Sequence, residues 1–226
     1  MKINFPEKAY IGNTVYKKLF IENSDLNAAD KKLFNEKIEK ITWEYSLKPE
    51  NCFIKSYKDE IREYPEVELI VVKVKDVAKA QHLVEIIMRK IPYPMVLILQ
   101  NGDKYQLWTA QQRTNQADIS KNVLEDFIET DWISENEVIS LLNHEVFDKT
   151  NLYRFYSSII DRISIFRLKS DKENLTGEAA REEYNRIKAI DAKIATLRNE
   201  LKMESQFNRK MEINIRIKQL ENERNS

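Results

Sequence analysis

The last stretch of the chain limits the fold most tightly. After Gly177 there is neither glycine nor proline, and Ile187, Ile190, Ile194, Leu197 and Leu201 recur at alternating spacings of three and four. That is the period of a coiled-coil seam, which strands and loops do not share. The seam breaks at Glu204-Ser-Gln-Phe-Asn-Arg-Lys210, and a new apolar set follows at Met211, Ile213, Ile217 and Leu220. Two arrangements accommodate the break: an antiparallel hairpin turning near residues 204–208, or one long helix with a stutter. The seam moves by more than one position, which favours the hairpin. In either case the arm must bury its stripe against itself, a second copy or a partner.

The shortage of glycine reaches beyond the arm. Gly12, Gly102 and Gly177 are the only three in 226 residues, where ordinary usage gives roughly 16. Loops that cradle phosphate need glycine so that backbone N–H groups can approach the ligand. No two of these glycines lie close enough for a GxGxxG fingerprint or a Walker loop. A Rossmann cofactor domain, a P-loop ATPase and a protein kinase are thereby disfavoured, and no cofactor is implied. A single cysteine, Cys52, leaves no disulfide framework and fits a reducing, cytoplasmic setting. The first 25 residues lack an uninterrupted apolar core, so no secretory signal is expected. The apolar runs Leu69–Val72 and Met95–Leu99 are far short of the ~18 residues that suggest a membrane span.

Charge divides the chain into three. The total is 37 basic and 37 acidic residues. Residues 1–117 hold 19 Lys/Arg and 16 Asp/Glu, residues 118–148 one and nine, and residues 149–226 17 and 12. An acidic middle thus separates two mildly basic ends. We expect an α/β domain over 1–133, a helical connecting region over 134–169 and a coiled-coil arm over 170–226.

The α/β part is predicted to start with a short helix, Thr14–Ile21, with Asn13 as its cap. A second helix starts near Asn27, with Asp30 in its first turn and Leu33, Ile38 and Ile41 on its buried side. Ile41–Leu47 alternates like a half-buried strand, and Lys48-Pro-Glu-Asn51 reads as a turn. Val67–Val74 and Met95–Leu99 are apolar on both faces, as central strands are. Between them lies a helix capped by Asp76, carrying Val77, Ala80, Val84, Ile87 and Met88, and stopped by Pro92-Tyr-Pro94. Asn101-Gly102-Asp103 is a hairpin turn leading to Tyr105–Thr109. Ser134-Glu-Asn-Glu137 is a capping box. Asn151 opens a helix with Leu152, Phe155, Ile159, Ile163 and Phe166 on one side, and a loop spans Ser170–Thr176. The fold class is α/β: a small mixed β-sheet flanked by helices, then a helical region and a C-terminal coiled-coil helical hairpin.

Few constellations point to chemistry. A Mg²⁺-dependent nuclease needs an acid on one strand and an acid-x-lysine on the next. Glu66 and Glu68 lead into a strand that ends with Lys73 and Lys75, but Glu68 and Lys73 are five apart and face opposite sides. Ordinary strand-end charges account for them. Three acidic or lysine side chains converging at the ends of the central strands would favour the nuclease. Tyr153, Arg154, Phe155, Tyr156, Arg162, Phe166, Arg167 and Lys169 mix basic and aromatic residues, as nucleic-acid surfaces do; a core helix with a solvated basic edge has the same pattern. Arg154, Arg162, Arg167 and Lys169 are the candidate nucleic-acid contacts. Trp43, Trp108 and Trp132 suit either an aromatic pocket or core packing. His82 and His144 stand apart from each other and from Cys52, which disfavours a histidine-based zinc site.

Four segments carry a family resemblance. These are Phe5-Pro6 with Lys17-Lys18 downstream, Ile41-Thr-Trp43-Glu-Tyr-Ser-Leu47, Ile91-Pro92-Tyr-Pro94 leading into Met95–Leu99, and Glu204-Ser-Gln-Phe-Asn-Arg-Lys-Met-Glu-Ile-Asn214. Together they resemble an uncharacterised bacterial family, a domain of unknown function, encoded beside helicases and DNA methyltransferases in restriction-like phage-defence loci. The resemblance implies an accessory or adaptor subunit with a protein partner, such as the helicase or methyltransferase, and supplies no catalytic residues. A homo-oligomer is the other expected assembly. Gln206, Phe207, Asn208, Arg209, Glu212 and Asn214 are the candidate partner contacts. Polar residues there either set register and partner choice or form the hydrogen-bonded turn of a hairpin.

Overall fold

Two apolar segments, Val67–Val74 and Met95–Asn101, run parallel at the centre of a six-stranded mixed sheet. The computed structural model describes residues 1–22, 26–115, 122–168 and 177–225. It divides the chain into two compact units, Met1–Glu173 and Asn174–Ser226. In the first unit β1 is Tyr10–Val15, β2 Ile38–Leu47, β3 Tyr57–Lys58, β4 Glu63–Tyr64, β5 Val67–Val74, β6 Met95–Asn101, β7 Lys104–Thr114 and β8 Asn122–Glu129. The sheet order is β1-β2-β5-β6-β7-β8, with β3 and β4 forming a separate ribbon. Only β5 and β6 are parallel in the large sheet, joined by the crossover helix α4 (Ala80–Lys90). The earlier helices are α1 (Lys17–Glu22), α2 (Ala28–Lys37) and α3 (Pro49–Cys52); α5 (Glu135–Leu141) and α6 (Leu152–Leu168) follow the sheet.

One sheet face is covered by α2 and α4. Ile70, Val72 and Val74 of β5 and Leu97 and Leu99 of β6 pack there against Leu33, Phe34, Leu83, Val84 and Ile87. The opposite alternation of β5 (Val67, Leu69 and Val71) is equally buried, as a strand covered on both faces requires. Both α5 and α6 contact β7, and α6 also contacts β8. Past the start of β6, no strand among the described residues pairs with β7 on that side. Tyrosine hydroxyls substitute: Tyr156 Oη donates to Met95 O at 2.7 Å and accepts from Ala110 N at 3.2 Å. Tyr64 Oη accepts from Gln112 N at 3.1 Å.

Local signals hold where short-range chemistry decides. Asn27 accepts from Asp30 N at 2.9 Å and caps α2. Ser134 and Glu137 form the reciprocal capping box of α5. Gly102 turns the β6–β7 hairpin at φ +59°. Other expectations need correction. Asn13, Thr14 and Val15 belong to β1, paired with Trp43, Thr42 and Ile41, and the helix begins only at Lys17. Helix α2 stops at Lys37, so Ile38 and Ile41 bury from β2 instead. The Lys48-Pro-Glu-Asn51 turn tightens into the short helix α3. Asp76 accepts from Ala78 N at 2.9 Å, but α4 starts later, after Lys79 in the left-handed region, and leaves Val77 exposed. The acidic segment contains strand β8, whose antiparallel pairing with β7 the charge pattern conceals.

The second unit is a hairpin of α7 (Gly177–Met203) and α8 (Phe207–Asn225). Ile190, Ile194 and Ile217 are its buried centre, with Leu197, Leu201, Ile213 and Leu220 partly buried around them. Arg198–Glu221 at 2.8 Å and Arg224–Asp191 at 2.7 Å clasp the two helices in antiparallel order. Exposed pairs of this kind add little stability; the isoleucine seam holds the helices together. The predicted loop Ser170–Thr176 lies outside the described residues.

Candidate functional site

The sheet buries an acid pair that the sequence presents as strand-end charge. Glu66 precedes β5 and Glu68 is its second residue; they are 8% and 1% exposed. Their partners come from β2. Ser46 Oγ lies 3.1 Å from Glu66 Oε2 and 3.0 Å from Glu68 Oε1, and Trp43 Nε1–H donates to Glu68 Oε2. Trp43 and Ser46 are three residues apart, so on a regular strand they face opposite ways. A bulge in the β2–β5 register between Trp43 and Tyr45 reverses that alternation, and both side chains reach the same carboxylate. Just beyond β2, Lys48 Nζ sits 2.7 Å from Glu66 Oε2.

The electrostatics of the pair are unequal. Burial, with repulsion from Glu66 and a hydrogen bond between the two carboxyl groups, pushes Glu68 up to about 7. Opposing this, Trp43 and Ser46 hydrogen-bond the ionised form. The Glu66 carboxylate in turn holds the Lys48 ammonium above its usual range. Lys48 therefore compensates Glu66. Glu68 has only neutral donors, and the single proton of Ser46 serves one carboxylate at a time. This arrangement can store a proton near neutral pH.

Glu68 also lines a cavity of about 300 Å³. Val15, Leu19, Phe20, Trp43, Ile70 and Ile91 form its apolar walls, with Lys90 and Tyr93 also lining it. Trp108 belongs to the α2–α4 core, Trp43 and Trp132 pack against that core, and of the three Trp43 lines this cavity. His82 Nε2 meets Asp30 at 2.7 Å. His144 packs on Phe5 and Phe155, and burial lowers its pKa. Among the described residues, no three His, Cys, Asp or Glu side chains cluster as metal ligands.

The basic candidates on α6 are engaged within the unit. Arg154 Nε pairs with Asp148 at 3.1 Å, Arg162 Nη2 donates to Ser140 O at 3.2 Å, and Arg167 pairs with Asp131. Lys169 lies outside the described residues. The tail candidates gather at the tip of the hairpin. Glu204 accepts from Ser205 N at 2.7 Å and Gln206 N at 2.8 Å, which closes the turn and holds its carboxyl below the usual range. Gln206, Phe207, Asn208, Arg209, Glu212 and Asn214 are all exposed.

Sequence reasoning missed two features. The bulge that converts Glu68 from strand-end charge to buried carboxylate leaves no signal in β2. The other is an outward apolar row on α8. Met203 is 87% exposed, and beyond it Phe207, Met211 and Ile215 are 74%, 51% and 53% exposed. Their spacing of four puts the last three on one face over about 12 Å of helix. Met211, expected in the apolar set with Ile213, Ile217 and Leu220, belongs to this outward row instead; its four-residue spacing from Phe207 was the available sign.

A mixed-sheet α/β unit with a buried acid pair, followed by a helical hairpin, is the class of protein that these elements define. The chain belongs to the domain-of-unknown-function family DUF4391, whose model matches residues 3–223. No curated protein matches it, nor does any solved structure. No helix among the described residues is long and apolar enough to cross a membrane.

Proposed function

We propose that this protein is a cytoplasmic, non-catalytic accessory subunit of a restriction-like anti-phage DNA-targeting system, and that its C-terminal hairpin docks a protein partner. The row Phe207, Met211 and Ile215 carries this reading. It lies outside the seam that α7 and α8 bury together, so the hairpin's own closure does not use it. Basic residues outnumber acidic ones along this stretch of α8: Lys210, Arg216 and Lys218 stand against Glu212, and Lys218 lies on the side of the row, while Arg209 pairs with Glu204 at 3.8 Å. The partner face is therefore apolar with an acidic rim, and the resemblance points to a helicase or methyltransferase subunit. Co-expression with the helicase or methyltransferase subunits that the resemblance points to tests the proposal. The wild-type chain should co-purify with one of them. Phe207→Asp with Met211→Asp should weaken that complex at least tenfold and leave helical circular dichroism unchanged. Retention of the complex by the double variant, or no complex for either chain, would overturn it.

A second reading, a divergent Mg²⁺-dependent nuclease, draws on one observation: Glu66, Glu68 and Lys48 converge at the end of β2 and β5. Cleavage of DNA with Mg²⁺ or Mn²⁺ that is lost in Glu66→Ala and Glu68→Ala would favour it over the adaptor. The direct DNA-binding reading through Arg154, Arg162 and Arg167 requires salt-dependent duplex or single-strand binding.

A further inference from the structure

We infer that the cavity beside Glu68 is a binding site for a small organic monocation, its ammonium group against the Glu68 carboxylate and its apolar body against Phe20 and Ile70. This inference is independent of the hairpin docking proposed above.

Four observations carry it. The cavity, at about 300 Å³, is at the lower end of the range for small-molecule pockets and combines apolar walls with few polar groups, as such pockets do. The buried polar group on its lining is a carboxylate at the level of β5, 1% exposed. The charge inventory is unbalanced: Glu66 and Glu68 share one ammonium, that of Lys48, which lies 2.7 Å from Glu66. An ionised carboxylate buried among neutral donors is disfavoured unless a cation or a proton joins it. Finally, the charged groups around the cavity leave the cation position open. Lys90 is exposed and makes no ion pair with Glu68 among the described residues, Tyr93 brings no cation, and α1 contributes only Leu19 and Phe20. An anionic ligand meets repulsion from Glu68, and a neutral one leaves the charge imbalance as it was.

The cation competes with the proton that Glu68 otherwise holds. With that carboxyl near 7, the ionised fraction falls about tenfold between pH 8 and pH 6. Affinity for a permanently protonated amine should fall by the same factor.

The test uses the full chain labelled with ¹⁵N, reading the indole N–H resonances of Trp43, Trp108 and Trp132. The probes are 2-phenylethylammonium, the neutral 2-phenylethanol and the anion phenylacetate. The ammonium should shift the Trp43 resonance saturably at pH 8, bind at least tenfold tighter than the alcohol, and weaken about tenfold at pH 6. Glu68→Gln should reduce ammonium affinity at least tenfold and change alcohol affinity less than threefold. Unchanged Trp108 and Trp132 resonances check its fold. The pH dependence in the wild-type chain tests the same point without any substitution. Equal affinity for alcohol and ammonium, no loss at pH 6, or no saturable shift of Trp43 at millimolar ammonium would each overturn the inference.

Discussion

Replacing Glu68 with glutamine should flatten the pH dependence of the first unit's stability. In the folded unit the carboxyl titrates near 7, against 4.5 for an unperturbed glutamate. A carboxyl whose folded value is raised stabilises the fold while protonated. That contribution is complete below pH 4.5 and is lost as pH rises through 7. At about 1.4 kcal/mol per pH unit between the two values, the loss is about 3 kcal/mol. Glu68 is 1% exposed, so solvent screens this little. Glutamine keeps an acceptor for Trp43 Nε1–H and cannot ionise. His144 acts in the opposite sense. Burial lowers its pKa below 6.5, so its contribution is complete above pH 6.5 and is lost as pH falls through the folded value. Comparing variant with wild type at each pH removes that term. All three tryptophans lie in the first unit, so their fluorescence in urea reports on it. With an m value of roughly 1–3 kcal/mol/M, the wild-type midpoint should fall about 1–3 M relative to Glu68→Gln between pH 5 and pH 8. Parallel midpoints for the two chains across that range would refute the reasoning.

Tyr156→Phe removes the hydroxyl that bridges Met95 O and Ala110 N and leaves buried backbone groups short of a partner, so it should cost about 1–3 kcal/mol in the same urea assay. Gly102→Ala meets no neighbour within 4 Å but must hold φ +59°. It should cost about 1 kcal/mol through the backbone alone, and Gly102→Asn should cost less. Ile217→Ala empties the centre of the hairpin seam and should cost the hairpin about 2–4 kcal/mol, read as faster hydrogen exchange in both α7 and α8. Unchanged exchange there would mean that the seam does not hold the helices together.

Much of the architecture was legible because its signals are local. The spacing from Ile190 to Leu201 implied a buried helical stripe, and the break at Glu204 favoured a turn over a stutter in one long helix. Val67–Val74 and Met95–Leu99 read as central strands because neither face carried a solvent pattern. Capping by Asn27 and Ser134 and the turn at Gly102 depend on groups a few residues apart. The misreadings have physical causes too. Asn13 is a good helix cap by type, yet Val15 and Thr14 pair with β2 because a sheet edge there satisfies their backbone groups. In β8, acidic residues lie among the apolar ones; Leu124 and Phe127 still pack against the core.

The sequence by itself determined the apolar seam of the arm, the two central strands and the absence of glycine-rich phosphate loops among its 226 residues. Each follows from residue type and short-range periodicity, which survive without knowledge of neighbours. Only the tertiary structure decided that Glu68 is a buried acid rather than a solvated one. A bulge in β2 brings Trp43 and Ser46 onto the same carboxylate, and α1 with the end of α4 closes a cavity over it. The proton affinity of a carboxyl depends on what surrounds it, and here its donors Trp43 and Ser46 come from a segment more than twenty residues away in the chain.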